Sequence, residues 1–256
     1  MSAQVPRLLW TISAARGDIA CLLNPGCGVV GLTVVRGEAV LRQEAYPDSS
    51  SAYERARALR GELDEAVSRE EDDVWLPTPT CVMRSWRRSD TPSVALHANN
   101  AKIGRNLRDG FPSPYTEADA RAFIEHALSL APPTRFAITV KGEAVGSIGF
   151  TLRENVERVS AEMGYWLGEA FWGRGITTDA VKALTRHAIA AHGLTRVYAV
   201  PFAWNPASSR VLEKAGFTCE ARMRGSVVKE GRVLDSFLYA FVVAEPGNPD
   251  AALLPA

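Results

Sequence analysis

The chain has 256 residues, 46% of them hydrophobic, and its 29 basic residues balance 29 acidic ones at zero formal net charge. This length allows one large domain or two smaller ones with a substantial core. Balanced charge argues against a nucleic-acid partner bound by broad phosphate neutralisation. The sequence has no run of about 18 apolar residues and no signal-peptide pattern, so we expect a cytoplasmic protein without a membrane partner.

The cysteines give no sign of a metal site. Cys21, Cys27, Cys81 and Cys219 lack C-x-x-C spacing and have no histidine partner at ligand spacing. We therefore predict no metal and no disulfide framework, and expect reduced, mostly buried thiols.

Residues 1–75 predict a small antiparallel sheet with one helix. Four strand-like runs are separated by turn signals, and a helical pattern follows from Ser51. An apolar stripe on this helix is predicted to cover the sheet and comprises Tyr53, Ala56, Leu59, Leu63 and Ala66. No constellation of catalytic residue types occurs here, so we expect an interaction or stabilising module of unknown role.

The prolines of residues 76–80 predict a linker, because Pro77 and Pro79 both disfavour helix at the preceding residue. Beyond it, residues 81–244 alternate between strand and helix patterns, which predicts an α/β domain. The final segment, 245–256, has three prolines and little charge, and we predict a disordered tail.

Within 81–244, several helix ends carry strong signals. Thr116 with Asp119 predicts a near-capping box, and Gly193 predicts a helix end. A short helix is predicted after Asn205 as N-cap, with Pro206 at its first position. Hairpins are predicted at 135–152 and 218–243.

The stretch "EAFWGRGITTDAV", residues 169–181, joins a predicted strand to a predicted helix. The first N–H groups of a helix lack internal partners and attract anions, and Gly173 and Gly175 let the backbone approach a ligand closely. Ile176 occupies the lysine position of a Walker A loop, and Asp179 stands where a dinucleotide fingerprint needs its third glycine, which disfavours both. A phosphate cradle and a purely structural turn both remain open on these residues alone.

A second motif, "NPASSRVLEKAGF" at 205–217, follows in an order that matches a known family. Together with "GYWLGEAFWGRGITTDAVKAL" and, more loosely, "NLRDGFPSPYTEADARAFI", it resembles the GNAT superfamily of N-acetyltransferases, most closely the ribosomal-protein-alanine acetyltransferase branch. The resemblance covers residues 81–243 and implies an α/β fold with a mixed sheet. The small N-terminal domain is extra to it.

The resemblance implies acetyl-CoA as co-substrate. It implies that backbone amides of the glycine turn bind the pyrophosphate, from Trp172, Gly173, Arg174, Gly175, Ile176, Thr177 and Thr178. Trp172 and Thr177 depart from the usual pattern, but neither change removes a backbone donor. The pantetheine arm is expected to meet the main chain of Tyr165, Trp166 and Leu167, and Asn205 is expected to contact the cofactor as well as cap its helix.

Catalysis requires an acceptor for the amine proton and a donor for the departing thiolate. The resemblance implies Glu162, on the strand before the cofactor contacts, as the base, although it could instead be a solvated strand residue or form a structural ion pair. The tyrosine that many relatives use as thiol acid is replaced by Leu212, so Ser208 is the candidate acid. A simple first-turn serine is the alternative at that position.

The expected function is therefore transfer of an acetyl group from acetyl-CoA to a primary amine, either a protein N-terminus or a small amine. A homodimer is among the expected assemblies. The alternative is a non-catalytic acyl-CoA-binding module that recruits a partner through the N-terminal domain.

Overall fold

The computed structural model describes residues 5–12, 18–26, 28–71 and 74–251, with only the backbone described for 64–71. Cys27, the side chain of Ala66 and the end of the predicted tail at 252–256 lie outside this description. The chain divides into two compact units, Met1–Asp73 and Val74–Ala256. In the described ranges, no helix is long and apolar enough to cross a membrane.

The first unit is a four-stranded antiparallel sheet with one helix, as predicted. Its strands lie in chain order, and the element bounds are β1 (Arg7–Ile12), β2 (Ile19–Pro25), β3 (Val30–Arg36), β4 (Ala39–Tyr46) and α1 (Ser49–Glu71). Buried side chains from β1, β2, β3 and α1 form its core. They include the thiol of Cys21, which is buried as predicted. Burial raises the pKa of this thiol to about 11.

The predicted apolar stripe of α1 is confirmed at Ala56 and Leu59 and wrong at Tyr53, whose place in the core is taken by Ala52. Ala52, Ala56 and Leu59 are buried, whereas Tyr53 is 41% exposed and its hydroxyl accepts a hydrogen bond from Arg7 at 3.3 Å. The indole of Trp10 donates to the Ala56 carbonyl at 2.9 Å. The small side chains at 52 and 56 thus fill the core positions of this helix turn, and the larger Tyr53 side chain lies at the edge.

The second unit is built on an eight-stranded mixed sheet, which confirms the predicted α/β class. The strand order is β11-β12-β10-β9-β8-β7-β6-β5. In chain order the elements are β5 (Trp75–Pro77), β6 (Val82–Arg84), α2 (Thr91–Ala98), α3 (Ala101–Gly104), α4 (Glu117–Ser129), β7 (Arg135–Val140), β8 (Glu143–Leu152), β9 (Ser160–Leu167), α5 (Ile176–His192), β10 (Arg196–Ala199), α6 (Pro206–Lys214), β11 (Thr218–Lys229) and β12 (Arg232–Val242).

Two segments differ from the sequence-based expectation. Trp75–Pro77 pairs with β6 as an edge strand, so part of the predicted linker at 76–80 belongs to the sheet. Proline is tolerated at a sheet edge because its missing N–H faces outward. Within the predicted tail, residues 245–251 are ordered, because the Gly247 N–H donates to the Leu194 carbonyl at 3.1 Å and Asp250 pairs with Arg186 at 2.6 Å.

Helices cover both faces of this sheet. Alternate residues of β7 point to opposite sides, so that Phe136 and Ile138 pack in the cluster beneath α5 while Ala137 packs in the cluster beneath α2 and α4. The α5 cluster also contains Leu212 of α6. We call these the α5 face and the α2/α4 face.

The predicted helix ends are where the sequence indicated. Asp119 N–H donates to Thr116 Oγ1 at 3.3 Å at the start of α4, with the reciprocal bond from the Thr116 N–H at 2.8 Å. The Asn205 side chain caps α6, and Gly193 ends α5 with φ 61°.

A buried ion pair joins β6 to the start of α2. The Arg84 guanidinium forms two hydrogen bonds with the Asp90 carboxylate, at 2.8 and 2.7 Å, and both side chains are less than a tenth exposed. Asp90 also accepts from the Arg87 N–H at 2.9 Å. Removing one partner would leave a buried charge without compensation.

Asp90→Ala is expected to lower the free energy of unfolding by about 3–5 kcal/mol, because Arg84 stays buried without its carboxylate. Chemical denaturation measures the loss. The matched control is Glu125→Ala, whose pair with Arg88 is exposed and should contribute less than about 1 kcal/mol. Equal losses in the two variants would show that Arg84 becomes hydrated and that the buried pair is not special.

Candidate active site

Strands β9 and β10 part in the middle of the sheet. They pair in parallel over a short stretch, from Ser160 with Arg196 to Glu162 with Tyr198. Beyond this point β9 continues beside β8 as far as Leu167, and β10 continues beside β12. Residues 163–167 therefore form a strand edge that faces a gap, and an extended ligand can bind to such an edge.

Strand geometry decides which backbone groups face this gap. The Gly168 N–H donates to Val145 in the β8 direction at 2.8 Å, and groups alternate in direction along a strand. The backbone of Trp166 therefore faces β8, whereas the Tyr165 backbone and the Met163 carbonyl face the gap. The Met163 N–H lies on the Tyr198 side of the last β9–β10 pair. The main-chain role predicted for Trp166 does not fit this register, and Met163 is a candidate that the sequence reasoning missed.

The Leu167 carbonyl is also on the gap side, but it already has a donor. The indole nitrogen of Trp172 donates to it at 2.7 Å. This bond ties the glycine turn to the end of β9. Trp172 thus acts through its side chain on the protein itself. Its backbone N–H already donates to the Glu169 carbonyl at 3.1 Å, so the amide contact predicted for Trp172 does not fit this geometry.

The glycine turn leaves open space and backbone amides at the start of α5. Gly173 and Gly175 have φ values of 75° and 78°, which favour glycine, and a Cβ at either position would meet no atom within 4 Å. The first hydrogen bond of α5 runs from the Asp179 N–H to the Gly175 carbonyl at 3.0 Å. The amides of residues 176–178 precede this bond, so they have no partner inside the helix and are available to an anion.

The side chains of this turn have separate roles. Ile176 is buried in the α5 cluster, so it can offer only its amide, whereas Thr177 and Thr178 are half-buried in the first turn. The exposed Arg174 guanidinium lies 5.4 Å from the Phe171 ring centroid. Asp179 accepts from the Thr80 hydroxyl at 2.8 Å, which connects the start of α5 to the loop before β6.

Helix α6 brings a hydroxyl to the same region. The Ser208 N–H donates to the Asn205 side-chain oxygen at 3.2 Å, so this oxygen is used for capping and only the amide nitrogen remains for a ligand. Ser208 Oγ lies 2.8 Å from the Tyr165 hydroxyl. Leu212, one turn later, is fully buried in the α5 cluster.

Glu162 lies on the opposite face of the sheet from Ser208. Side chains alternate between the two faces along β9, so Glu162 and Trp166 point to the same face. Trp166 packs in the α2/α4 cluster. One Glu162 oxygen accepts from Arg108 and the other from Arg153, whose Nε donates to the Tyr198 hydroxyl at 2.7 Å. The Glu162 side chain is 20% exposed, whereas that of Arg108 is 80% exposed.

The α2/α4 face of the gap has an open floor and a charged rim. A Cβ on Gly164, which is exposed between Glu162 and Trp166, would meet no atom within 4 Å. The segment 105–111 lies along one side and the β11–β12 turn along another. They meet through two ion pairs, Lys229 with Asp109 at 2.7 Å and Arg105 with Glu230 at 3.8 Å.

The arrangement brings most of the predicted site residues together around one gap. The edge of β9 forms one side of the gap, and the turn at 172–178 follows the end of this strand. Ser208 and Asn205 flank the gap on the α5 face, and Glu162 flanks it on the α2/α4 face. In the described ranges, no group of three His, Cys, Asp or Glu side chains could hold a metal ion.

Comparisons of the sequence with known proteins find relatives that are described as acetyltransferases. An N-acetyltransferase p20 of Bacillus licheniformis, itself uncharacterised, is 31% identical over 139 residues, which are 52% of this chain and 78% of the relative. The ribosomal-protein-serine acetyltransferase of Escherichia coli is 32% identical over 42% of this chain and 60% of its own length. For this second relative, the chain therefore spans less than two thirds of the length.

A solved structure shares the fold. The ribosomal L7/L12 α-N-protein acetyltransferase RimL, in complex with coenzyme A, superposes with a TM-score of 0.59 at 24% identity, over 66% of this chain and 98% of that one. The family model described as the acetyltransferase (GNAT) domain matches residues 81–218, more than half of the chain. The protein therefore belongs to the GNAT family of acetyltransferases, with acetyl-CoA as its co-substrate.

Proposed function

We propose that the second unit transfers an acetyl group from acetyl-CoA to a primary amine, which is either a protein N-terminus or a small amine. The observation that carries the proposal is the parting of β9 and β10, with a glycine-started helix at its end and Glu162 and Ser208 on opposite faces. A thioester in this gap could be reached by an amine from one face while its sulfur departs on the other.

The cofactor is proposed to bind through backbone groups. The amides of 173–178 would hold the pyrophosphate at the positive end of the α5 dipole. The Met163 carbonyl and the Tyr165 backbone would pair with the pantetheine arm, and the Asn205 side-chain amide would donate to it. Bound in this way, acetyl-CoA supplies an acyl group that is activated as a thioester.

Glu162 is proposed to receive the amine. An incoming ammonium group can compete with Arg108 for the carboxylate, because the Arg108 side chain is 80% exposed and an exposed pair contributes little stability. Arg153 is less exposed and would keep the carboxylate in position. Glu162 would then accept the proton that the amine must lose before it attacks, directly or through a water molecule.

Ser208 is proposed to donate a hydrogen bond to the departing sulfur.

The names of the relatives support a protein N-terminus as acceptor, since two of them are described as acetyltransferases of ribosomal proteins. The charged rim around Gly164 suits a polar acceptor of either kind. The homodimer stays a prediction. Sedimentation of the purified chain would measure its mass in solution and so distinguish a monomer from a dimer.

The direct test is release of the CoA thiol from acetyl-CoA in the presence of an amine panel. The panel contains peptides with free or blocked N-termini, an aminoglycoside and free amino acids. We expect amine-dependent thiol release, with a matching gain of one acetyl group on the acceptor by mass spectrometry. Tight acetyl-CoA binding without turnover on any amine would favour the non-catalytic binding module instead.

Glu162→Gln is expected to lower turnover about a hundredfold, because the amide cannot accept the amine proton. The pH–rate profile should change, and the affinity for acetyl-CoA should stay the same. Glu220→Gln is the matched control, since Glu220 is also held by an arginine, Arg196, which stacks beside Tyr198. An unaltered pH–rate profile in Glu162→Gln would assign the base elsewhere.

Gly175→Asp is expected to weaken CoA binding by on the order of 2–3 kcal/mol, because it sets a negative side chain against the pyrophosphate and strains a positive φ. Calorimetry measures the affinity. Gly193→Asp is the control, because Gly193 also has a positive φ of 61° and open space but lies at the other end of α5. Equal affinity for CoA in Gly175→Asp and the wild type would show that the pyrophosphate does not bind at this turn.

A further inference from the structure

The side chain of Tyr165 has no part in the function proposed above, where this residue contributes only its backbone. Yet its hydroxyl crosses from β9 to the first turn of α6 and lies 2.8 Å from Ser208 Oγ. The ring packs against the α5 cluster, so the hydroxyl is held in a defined direction. A tyrosine hydroxyl therefore lies beside Ser208, the candidate donor to the sulfur. It comes from strand β9, whereas the tyrosine of many relatives would come from helix α6, at the position of Leu212.

Either hydroxyl could donate across the 2.8 Å contact, because each carries one hydrogen. The Tyr165 oxygen also lies 3.4 Å from the Ser208 carbonyl oxygen, which is longer than an ordinary bond between a hydroxyl and an oxygen acceptor. Ser208 Oγ is therefore the nearer acceptor for the phenol hydrogen. When the phenol donates to it, the hydrogen of Ser208 is left for another acceptor.

Two further observations hold this pair in place. Burial raises the pKa of the Tyr165 phenol to about 12, more than its bond to Ser208 lowers it, so the phenol stays protonated and remains a donor. The Ser208 N–H is held by Asn205 through both its backbone carbonyl and its side-chain oxygen, each at 3.2 Å. The backbone of Ser208 is fixed by one partner and its side chain by the other.

We propose that Tyr165 is a positioning residue, which turns the Ser208 hydroxyl toward the sulfur of the cofactor. This inference rests on the proposed function, because it needs the thioester in the gap between β9 and β10. Tyr165 does not touch the reacting atoms. It acts through Ser208, whose hydrogen atom is directed to the sulfur because its oxygen accepts from the phenol.

The step balances without a further reactant. The amine nitrogen forms a bond to the acetyl carbon, and the bond between that carbon and the sulfur breaks, with its electron pair going to sulfur. The amine loses one proton and the sulfur gains one, by way of Glu162 and solvent. Ser208 donates a hydrogen bond to the negative charge on sulfur, and Tyr165 keeps the serine hydrogen in that direction.

The test measures binding as well as turnover. A hydrogen bond from Ser208 stabilises the thiolate over the thiol, so CoA should bind the wild type more tightly as pH rises through the thiol pKa, which is about 8.5 for an ordinary thiol. Calorimetry with CoA, and with desulfo-CoA as the ligand that lacks sulfur, isolates this contribution. In Tyr165→Phe we expect the CoA affinity at about pH 9 to fall about fivefold, as for one lost hydrogen bond, with the desulfo-CoA affinity unchanged.

The kinetic readout is a double-mutant comparison. Tyr165→Phe and Ser208→Ala should each lower kcat about tenfold with little change in the KM for acetyl-CoA. The double variant should be no slower than Ser208→Ala, because Tyr165 acts only through Ser208. Tyr239→Phe is the matched control, since it removes another tyrosine hydroxyl bound to α6, at Glu213 over 2.9 Å, and should leave kcat unchanged.

The outcomes separate the two proposals. Failure of the wild type to bind CoA would overturn the proposed function and this inference with it. CoA binding whose pH dependence is the same in Tyr165→Phe, Ser208→Ala and the wild type would overturn the inference alone. Additive effects of the two substitutions on kcat would also contradict it. Desulfo-CoA binding serves as the check that each variant is folded.

Discussion

The arrangement of the site depends on one constraint, which is that β9 and β10 each stay with their own antiparallel partner. β9 follows β8 to Leu167, while the chain after β10 continues to bond the β12 side, where the Phe237 N–H donates to the Pro201 carbonyl at 3.0 Å. The two strands pair only up to Glu162 and Tyr198. Because the sheet opens between them, backbone groups and side chains of both halves can meet a ligand in the middle of the domain.

The opening also separates the two catalytic side chains that we propose, the proton acceptor Glu162 and the hydrogen-bond donor Ser208. Glu162 is on the α2/α4 face and Ser208 is on the α5 face, and the strand edge between them carries the Met163 carbonyl and the Tyr165 backbone. A single alternating strand thus supplies a carboxylate to one side, a phenol to the other and hydrogen-bonding groups to the edge. This division follows from the period of two along a strand, with no bulge needed in β9.

Local signals in the sequence predicted much of the fold, but long-range pairs could not be predicted from it. The Thr116 and Asn205 caps and the end of α5 at Gly193 depend on neighbouring residues, which the sequence displays directly. The arginines around Glu162 come from positions 108 and 153, and no spacing rule connects them. The direction of the Trp166 backbone groups could not be predicted, because it depends on the register of β9 against β8. With that register known, strand alternation points to Met163 instead. The ordered segment 245–251 depends on a carbonyl at Leu194, far away in sequence.

The charged rim has a consequence for how such a domain can change its specificity. The rim is built from segment 105–111 and the β11–β12 turn, whereas the cofactor edge and glycine turn form one continuous stretch, 163–178. Substitutions in the two rim segments alter charge and shape on the α2/α4 face without touching the backbone that the cofactor would use. In the function that we propose, the acceptor rim and the main cofactor contacts are therefore encoded in separate parts of the chain, so one can diverge while the other is kept.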